Sequence, residues 1–558
     1  MINTKLLHSL IPVFPQSEPE GKELAKLTLC KNQALNFQLA FHLDDAENCC
    51  EDFFIRIKTE LPISMYYINN VPVIHTSSVP NATPIGMYPD ILLPKKVNPK
   101  ICDAAYPWES YICEDDEDVL LRAYNDSWQA VWFCINENCK NIKSGTYSVV
   151  MELYDTQNKL IQTREICAEV LQSSLPKQKL IYTNWFHYDC IAELYNEKVF
   201  SDRYFKIMAD YVKKAAQNGM NMILMPAFTP PLDTGVGSER MTVQLVKITK
   251  TESGYEFDFS LMKRFVDICR KCGITHFEHC HFFTQWGAEN APKIMVYENG
   301  KEKKMFHWKT KATGKAYVTF LREYIKALKV FLKEEKLERN ILFHISDEPD
   351  EKMLENYAKA RNSIIDLLEG YMVGDAMSHV EYYEKGYCDM PISTTVDIHD
   401  FIGKCKNLWA YYTGGCIGDQ RSNRVMGMTR ERNRILGIQL YYYNIKGFLH
   451  WAYNNYYGKQ SKYFFNPCLN PNGGFAMPGT SYMVYPAFNG SCYQSVRQKN
   501  FAEGIGDIQL LTLLEKKKGR KVCEDLIIKY FGVPHFDRTI DNAQCYIDFI
   551  DEVYALIK

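Results

Sequence analysis

The chain has 558 residues, of which 46% are hydrophobic, and its formal net charge is -2 at pH 7. This length exceeds the roughly 300 residues that a single hydrophobic core supports, so we expect two or three domains. Basic and acidic residues are spread along the chain, which leaves no electrostatic footprint for nucleic acid and no basic anchor for a membrane surface. No window approaches the roughly 18 apolar residues of a membrane span. The expected partner is therefore a small or neutral molecule.

The amino terminus and the cysteines indicate the compartment. Residues 1–20 carry one lysine and a brief apolar run that His8, Ser9 and Pro12 interrupt, which is too short for the core of a secretory signal. The 19 cysteines are scattered without regular spacing, which favours free thiols over a disulfide framework. We therefore expect a cytoplasmic protein.

The first part of the chain shows the two-residue period of half-buried strands. Apolar side chains recur at every second position over 35–43, 147–153 and 166–170, which predicts strands. Turn residues separate these runs, and Pro176 closes the last of them. Residues 1–175 are therefore predicted to form an amino-terminal β-sandwich domain.

Beyond Pro176 the pattern changes to strands that alternate with amphipathic helices. Helices are predicted at 201–219, 260–273, 316–336 and 351–368, the first with Ser201 as its N-cap. Strand candidates lie at 179–183, 220–225, 274–283, 341–345, 371–373, 392–396, 408–412 and 447–451. This alternation predicts a (β/α)8 TIM-type barrel over residues 176–515. Residues 516–558 are expected to be a C-terminal helical segment packed on the barrel.

The stretch from Ile341 to Asp350 reads ILFHISDEPD and places two adjacent carboxyl groups at the end of a short buried strand. Catalytic residues of such barrels gather at the carboxyl ends of the strands, and paired carboxyl groups are the usual equipment for cleaving a glycosidic bond. Asp347 and Glu348 are therefore the candidate catalytic residues. The structural alternative is a helix start, which Asp347, Glu348 and Pro349 also suit, and the two roles can coexist.

Aromatic and hydrogen-bonding side chains accompany several of the predicted strands. The candidate substrate-binding residues are Trp185 after strand one, His279, His281 and Trp286 at strand three, Trp409, Tyr411 and Tyr412 on strand seven, and Trp451 and Asn454 on strand eight. Flat rings pack on the CH-rich face of a sugar, whose hydroxyl groups need donors and acceptors. For any one of these aromatics the barrel core is the commoner place. As a set at strand ends they favour a sugar pocket.

Two further groups of residues allow other interpretations. His276, His279 and His281 lie near Glu278, and Cys269 and Cys272 share a helix face, but closed zinc sites present four ligands from well-spaced pairs and no second CxxC follows. We therefore expect no metal. Asp375, after strand five, is either an independent carboxylate partner for Glu348 or a residue of a surface loop.

Six segments carry a resemblance to a known family. They read YPDILLP (88–94), SGTY (144–147), HISDEP (344–349), LWAYYT (408–413), GFLHWAYNNY (447–456) and SVRQKNFAEGIGDIQLL (495–511). In this order they resemble the domain-of-unknown-function 4091 group, which includes glycoside hydrolase family 123. In the last segment Lys499 and Ala502 stand where the group is expected to carry Glu and Arg. Contacts made by that segment are therefore not carried over.

The resemblance implies a sandwich followed by a barrel, and it implies a retaining exo-β-N-acetylhexosaminidase, specifically a β-N-acetylgalactosaminidase, without a cofactor. Glu348 would protonate the glycosidic oxygen, while Asp347 would orient the substrate's 2-acetamido group, whose carbonyl oxygen is the nucleophile. By analogy with other substrate-assisted enzymes, Tyr412 or else Tyr411 would bond the acetamide carbonyl. The alternatives are a two-carboxylate glycosidase that uses a residue such as Asp375 on another sugar, and a non-catalytic carbohydrate-binding barrel.

Overall fold

The computed structural model describes residues 1–45, 47–74, 85–95, 119–418, 420–474, 476–487, 490–539 and 541–558. Its amino-terminal strands are β1 Ile2–His8, β2 Lys26–Leu29, β3 Leu35–Leu43, β4 Cys50–Lys58, β5 Ile63–Val73, β6 Gly86–Pro94, β7 Val119–Tyr124, β8 Gln129–Ile135, β9 Gly145–Asp155 and β10 Leu160–Val170. They form two sheets around a shared core that includes Phe37 and Phe133, whose rings stack with centroids 4.8 Å apart. The predicted β-sandwich is confirmed.

The next strands are β11 Ile181–Asn184, β12 Met222–Met225, β13 Lys247–Lys250, β14 Tyr255–Asp258, β15 His276–His279, β16 Ile294–Glu298, β17 Lys301–Phe306, β18 Ile341–Phe343, β19 Met372–Met377, β20 Met390–Thr394, β21 Trp409–Tyr411 and β22 Gly447–His450. Strands β11, β12, β15, β18, β19, β20, β21 and β22 close into a parallel barrel. The predicted TIM-type barrel is confirmed. Strands β13, β14, β16 and β17 lie in the connections after β12 and β15 and form a separate sheet in the order β14-β13-β16-β17.

The helices are α1 Tyr188–Tyr195, α2 Asp202–Gln217, α3 Ser260–Lys271, α4 Lys315–Glu334, α5 Leu354–Asn362, α6 Glu381–Glu384, α7 Arg430–Arg434, α8 Leu436–Tyr442, α9 Val496–Lys518, α10 Arg520–Phe531 and α11 Ala543–Ile557. Ser201 caps α2 as expected, since its hydroxyl accepts a hydrogen bond from the Tyr204 amide at 3.2 Å. None of the described helices is both long and apolar enough to cross a membrane.

The helix expected over 351–368 is interrupted, which corrects the sequence-based prediction. Two short 3-10 turns, Glu351–Met353 and Ile365–Leu368, flank α5. The Ser363 hydroxyl donates to the Ala360 carbonyl at 2.6 Å, and such side-chain bonds to the backbone compete with helix continuation. Helix α5 and its two flanking turns form the connection between β18, after which Asp347 follows, and β19, which contains Asp375.

The C-terminal part of the chain joins the sandwich to the barrel. Its strands β23 Tyr485–Ala487 and β24 Ser491–Ser495 extend the first sheet of the sandwich, where β24 pairs with β6. Helix α9 then runs between the two units, and it spans the boundary at residue 515 that the sequence suggests for the end of the barrel. Lys499 on α9 forms a buried ion pair of 2.6 Å with Glu137 of the sandwich. This segment therefore packs on the sandwich as well as on the barrel.

Candidate active site

A cavity of about 710 Å3 opens at the carboxyl ends of the barrel strands. Its lining includes Asp347 and Glu348 after β18, Tyr411 on β21 and Trp451 after β22. Loops supply much of the remaining wall, including Thr413, Gly414, Gly415, Asn472, Gly474, Ala476, Met477 and Thr480. We refer to this space as the barrel cavity, and the volume suits a small ligand with several hydrogen-bonding groups.

Asp347 and Glu348 both face the barrel cavity although they are neighbours in the chain. In a continuous strand they would point to opposite sides, but β18 ends at Phe343 and Glu348 adopts a left-handed backbone conformation with φ of 40°. The backbone of this turn is held at both residues, because the Trp286 amide donates to the Asp347 carbonyl at 2.8 Å and the Glu348 amide donates to the Ala376 carbonyl at 3.1 Å. Asp347 is not a helix cap, since helical structure begins only at Glu351.

Left-handed backbone recurs around the barrel cavity. Asp233 and Trp286, which also line it, have φ values of 49° and 60°. A left-handed backbone conformation costs free energy in any residue other than glycine, and such strained residues concentrate at functional sites. The same cavity wall thus carries three strained residues, of which Glu348 is one.

Tyr411 is the hydroxyl-bearing residue of β21 that reaches the acid pair. Its Oη donates a hydrogen bond to Glu348 Oε1 at 2.6 Å. Burial and the charge of Glu348 raise the pKa of the Tyr411 phenol well above its usual value, so the phenol stays a proton donor. Tyr412 is not among the residues that line the barrel cavity, because neighbouring residues of a strand alternate between its two faces. Its ring packs edge-on against Phe448 and His450, so Tyr411 replaces Tyr412 as the candidate.

Asp347 has an unusual ionisation. Burial, together with the neighbouring charge of Glu348, raises the pKa of Asp347 well above its ordinary value, while His344 opposes the shift. Two carboxyl groups in one site cannot both ionise freely. Asp347 therefore retains a proton at pH values at which an exposed aspartate is fully charged.

A buried network lies behind the acid pair. His344 Nε2 lies 3.0 Å from Glu278 Oε2, and His344 Nδ1 lies 3.4 Å from Asp375 Oδ1. Burial lowers the pKa of His344, but its contacts with the Asp375 and Glu278 carboxylates outweigh that effect and raise the pKa to about 9. His344 is therefore an imidazolium at neutral pH, three residues before Asp347.

Glu278 was not singled out as a site residue by the sequence, yet it organises the wall of the barrel cavity. Its Oε2 accepts a hydrogen bond from Trp185 Nε1 at 2.8 Å, and its Oε1 accepts one from the Thr183 hydroxyl. Trp185, a predicted site residue, lines the cavity and is thereby held in place. The signal in the sequence that could have identified Glu278 is an acidic residue inside the short, mostly buried strand β15. A buried carboxyl group requires hydrogen-bonding partners.

Asp375 is neither a surface-loop residue nor part of the cavity lining. It is fully buried and accepts hydrogen bonds from the Ile345 amide at 2.9 Å, the Ser346 amide at 3.4 Å and the Tyr357 hydroxyl at 2.5 Å. These bonds use its carboxylate to hold the backbone that leads into Asp347. Asp375 therefore supports the site from behind, which corrects both interpretations of it.

Four other predicted residues also lie outside the cavity lining. His279 Nε2 lies 2.8 Å from the Tyr324 hydroxyl of α4, and Asn454 exchanges two hydrogen bonds with the His187 backbone. Trp409 is buried, and its ring covers Gly447 so closely that any Cβ there would collide with it. His281 stacks on His344 with ring centroids 4.6 Å apart. We therefore do not expect these four side chains to contact a ligand in the cavity.

The histidines that lie close together in the structure differ from the group His276, His279 and His281 that the sequence suggested. His281, His344 and Asp375 place one possible ligand atom each within 4.8 Å of one another. His344, however, uses both ring nitrogens toward Glu278 and Asp375, so a metal ion would have to displace its proton. We assign His344 and Asp375 of this cluster to the buried network behind the acid pair rather than to a metal site.

Asp233 is a third carboxylate on the cavity wall that the sequence did not single out. Burial raises its pKa to about 6, and its Oδ2 accepts a hydrogen bond from Asn455 Nδ2 at 3.1 Å. It lies in the loop after β12, where the residue order shows no regular period. Nothing local in the sequence marks it, because only the closure of the barrel brings this loop and Trp451 to the same cavity.

Comparison with known proteins supports the geometric interpretation. The family description "Glycoside hydrolase 123, catalytic domain" matches residues 185–514. Among solved structures, the chain is similar to a family 123 glycoside hydrolase from Clostridium perfringens, studied for glycolipid glycan hydrolysis. That similarity has 14% identity, covers 100% of this chain and 97% of the other, and has a TM-score of 0.71. At this identity it supports the fold, a sandwich followed by a barrel.

Two further solved structures are much less similar to this chain. β-Glucuronidase 2 from Bacteroides uniformis shares 11% identity over 86% of this chain and 48% of its own, with a TM-score of 0.27. A GH10 xylanase from Thermobacillus composti shares 11% identity over 59% of this chain and 97% of its own, with a TM-score of 0.30. No curated protein sequence matches the chain. Because the family description covers more than half of the chain, including the strands around the barrel cavity, the protein belongs to glycoside hydrolase family 123 and is a glycosidase.

Proposed function

We propose that this glycosidase is a retaining exo-β-N-acetylhexosaminidase that acts on β-linked N-acetylgalactosamine through the substrate's own 2-acetamido group. The observation that carries the proposal is the turn of Asp347 and Glu348 toward one cavity. Adjacent residues reach one side of a sugar carbon more easily than its two opposite faces, so one can serve the leaving group and the other the acetamide. No enzyme nucleophile is then required.

In the first step of the proposed mechanism, Glu348 gives its proton to the glycosidic oxygen while the acetamide carbonyl oxygen attacks the anomeric carbon. The bond to the leaving group breaks, and a cyclic oxazolinium forms on the sugar. In the second step Glu348 removes a proton from water, which opens the ring with net retention. The Tyr411 hydroxyl, 2.6 Å from Glu348 Oε1, holds the carboxyl group in position through both steps.

Asp347 is proposed to stabilise the positive charge that develops on the acetamide nitrogen. This role requires the carboxylate form, which burial disfavours. The imidazolium of His344 counters that cost, because a nearby cation favours the ionised form of a carboxyl group. Glu278 and Asp375 in turn keep His344 charged, so the buried network acts by positioning and by charge.

A panel of nitrophenyl glycosides tests the proposed activity. We expect hydrolysis of the β-N-acetylgalactosaminide and at most weak hydrolysis of the β-galactoside, which lacks the acetamide, with retained configuration in the first product seen by NMR. The two-carboxylate alternative gains one point of support from Asp233, a further carboxylate on the wall. It predicts turnover of the β-galactoside as well. Binding without turnover of any sugar would indicate a carbohydrate-binding barrel.

The tryptophans offer a matched test of the cavity wall. Trp286, whose side chain is 37% exposed, lines the barrel cavity, whereas Trp409 is 1% exposed and does not line it. We expect Trp286→Ala to weaken binding of the product sugar roughly 3- to 10-fold with little change in melting temperature, since a sugar face loses its stacking partner. Trp409→Ala should instead destabilise the fold by about 3 to 5 kcal/mol.

Calorimetric titration with N-acetylgalactosamine and thermal unfolding measure the two effects separately. Trp451 lines the cavity and is half-buried. Trp451→Ala should therefore weaken binding of the product sugar and lower the stability of the fold, each to a smaller extent. If Trp409→Ala weakens binding in its folded fraction while Trp286→Ala leaves binding unchanged, the wall has been assigned to the wrong residues.

We further propose a cytoplasmic location. The cysteines in the described part of the chain, including the neighbours Cys49 and Cys50, are free thiols. Free thiols persist in a reducing compartment, whereas secreted proteins tend to pair them.

A further inference from the structure

A second, smaller cavity of about 50 Å3 lies between the sandwich and the barrel, away from Asp347 and Glu348. Its walls come from Tyr88 and Asp90 on β6, from residues 423–430 before and at the start of α7, and from the first turns of α9. Three arginines, Arg424, Arg430 and Arg497, line it. We call it the arginine cavity.

The arginine side chains are buried but incompletely bonded. Arg424 is 1% exposed, and Arg430 and Arg497 are each 8% exposed. Within the described residues, no hydrogen-bond acceptor reaches Arg424 Nε and Nη1, Arg430 Nη2 or Arg497 Nη2. A buried donor without an acceptor costs on the order of 1 to 3 kcal/mol, and more when it is charged. Four such nitrogens belong to the three arginines that line one cavity, which indicates an acceptor inside it.

The charges around the arginine cavity do not balance. Asp90 is the carboxylate of its lining, and it is already engaged by Arg497 Nε at 3.0 Å and by the Tyr485 hydroxyl. Among the described ion pairs none involves Arg424 or Arg430, and burial lowers the pKa of each to about 10. Arg434, in the same helix as Arg430, is paired with Glu503 and Asp507. Within the described residues, Arg424 and Arg430 are therefore the arginines of the cavity that lack an ion-pair partner.

The chemistry of the wall selects the kind of anion. Arginine offers only donors, and Val425, Met426, Met428 and Val496 make much of the remaining lining apolar. A doubly charged, strongly hydrated anion would lose too much hydration in such a place. The volume is only a few times the roughly 10 to 15 Å3 that one water molecule requires, which suits a single halide.

We propose that the arginine cavity binds a chloride ion, held by Arg424, Arg430 and Arg497. The ion completes the charge balance of the junction between sandwich and barrel. It also steadies the wall of the barrel cavity, because Arg424 Nη2 donates to the Ala452 carbonyl at 2.6 Å and bonds His450 Nδ1. His450 and Ala452 flank Trp451, which lines the barrel cavity.

Thermal unfolding of the full chain tests the proposal at constant ionic strength, with chloride replacing gluconate. A ligand that binds only the folded state raises the melting temperature in a saturable manner, and we expect a rise of about 2 °C or more. Arg430→Gln should abolish the chloride-dependent rise. The matched control is Arg270→Gln, since Arg270 pairs with Glu335 at the surface and its loss should leave the rise intact.

Bromide provides a direct measurement on the unaltered protein, whatever the stability of Arg430→Gln. Crystals soaked in sodium bromide should show an anomalous peak within hydrogen-bonding distance of Arg430 Nη2 and Arg497 Nη2. Water alone at this position, with equal melting temperatures in chloride and gluconate, would overturn the proposal. A chloride effect that persists in Arg430→Gln, without a bromide peak in the cavity, would overturn it as well.

Discussion

Glu348→Gln should lower kcat/KM by about 10²- to 10⁴-fold on β-N-acetylgalactosaminides with a poor leaving group, which is the range that general acid catalysis contributes. On an activated aryl glycoside the loss should be much smaller, because such a leaving group departs with little protonation. The glutamine retains the shape of the side chain and can still contact Tyr411, whose hydroxyl lies 2.6 Å from Glu348 Oε1. A difference between the two substrates therefore reports proton transfer rather than misfolding.

The measurement is a series of aryl glycosides of graded leaving-group pKa, assayed with the wild type and the variant. The dependence on leaving group should be steeper in the variant, since the enzyme no longer supplies the proton. Glu351→Gln is the matched control, because Glu351 is an exposed carboxylate nearby that does not line the barrel cavity. Equal losses on good and poor leaving groups would exclude Glu348 as the acid.

Asp347→Asn should lose about 10²- to 10³-fold in kcat, because it removes a negative charge that is aimed at the developing acetamide cation. It should also lose most of the affinity for a thiazoline mimic of the cyclic intermediate. In the wild type this mimic should inhibit far better than the product sugar, as intermediate mimics do in a site built for them. Asp350→Asn, an exposed neighbour that does not line the cavity, should change neither quantity.

The pH dependence gives an independent readout for Asp347. Its proposed role needs the carboxylate, so kcat/KM of the wild type should fall as the pH drops through the pKa of Asp347. Because burial and Glu348 raise the pKa of Asp347, this acidic limb should lie well above the pH at which an exposed aspartate titrates. Asp347→Asn has no such group, and its residual activity should lack that limb. A limb at the same pH in the variant would assign the titration to another residue.

Trapping with a 2-fluoro sugar separates the proposed mechanism from the two-carboxylate alternative. A covalent adduct on Asp233, which lines the barrel cavity, together with weak binding of the thiazoline, would establish an enzyme nucleophile. Asp375 is a poorer candidate for such an adduct, since the Ile345 and Ser346 amides and the Tyr357 hydroxyl occupy its carboxylate. Strong thiazoline inhibition without an adduct is the expected result.

The sequence by itself determined the elements whose cause is local. Side-chain periods of 2 and 3.6 residues depend on neighbouring positions in the chain, so the sandwich strands β3, β9 and β10, the eight barrel strands and the cap of α2 at Ser201 were predictable. The acid pair was predictable for the same reason, because the buried run of β18 ends just before Asp347 and Glu348.

The tertiary structure alone decided which side chains meet. Whether Tyr411 or Tyr412 faces the barrel cavity depends on the rotation of a three-residue strand, which its neighbours in the barrel set and its own sequence does not. The bond between His344 and Glu278 joins residues 66 positions apart, and Asp233 reaches the wall through a loop without periodic pattern. Such contacts arise from packing between distant segments, so no local rule predicts them.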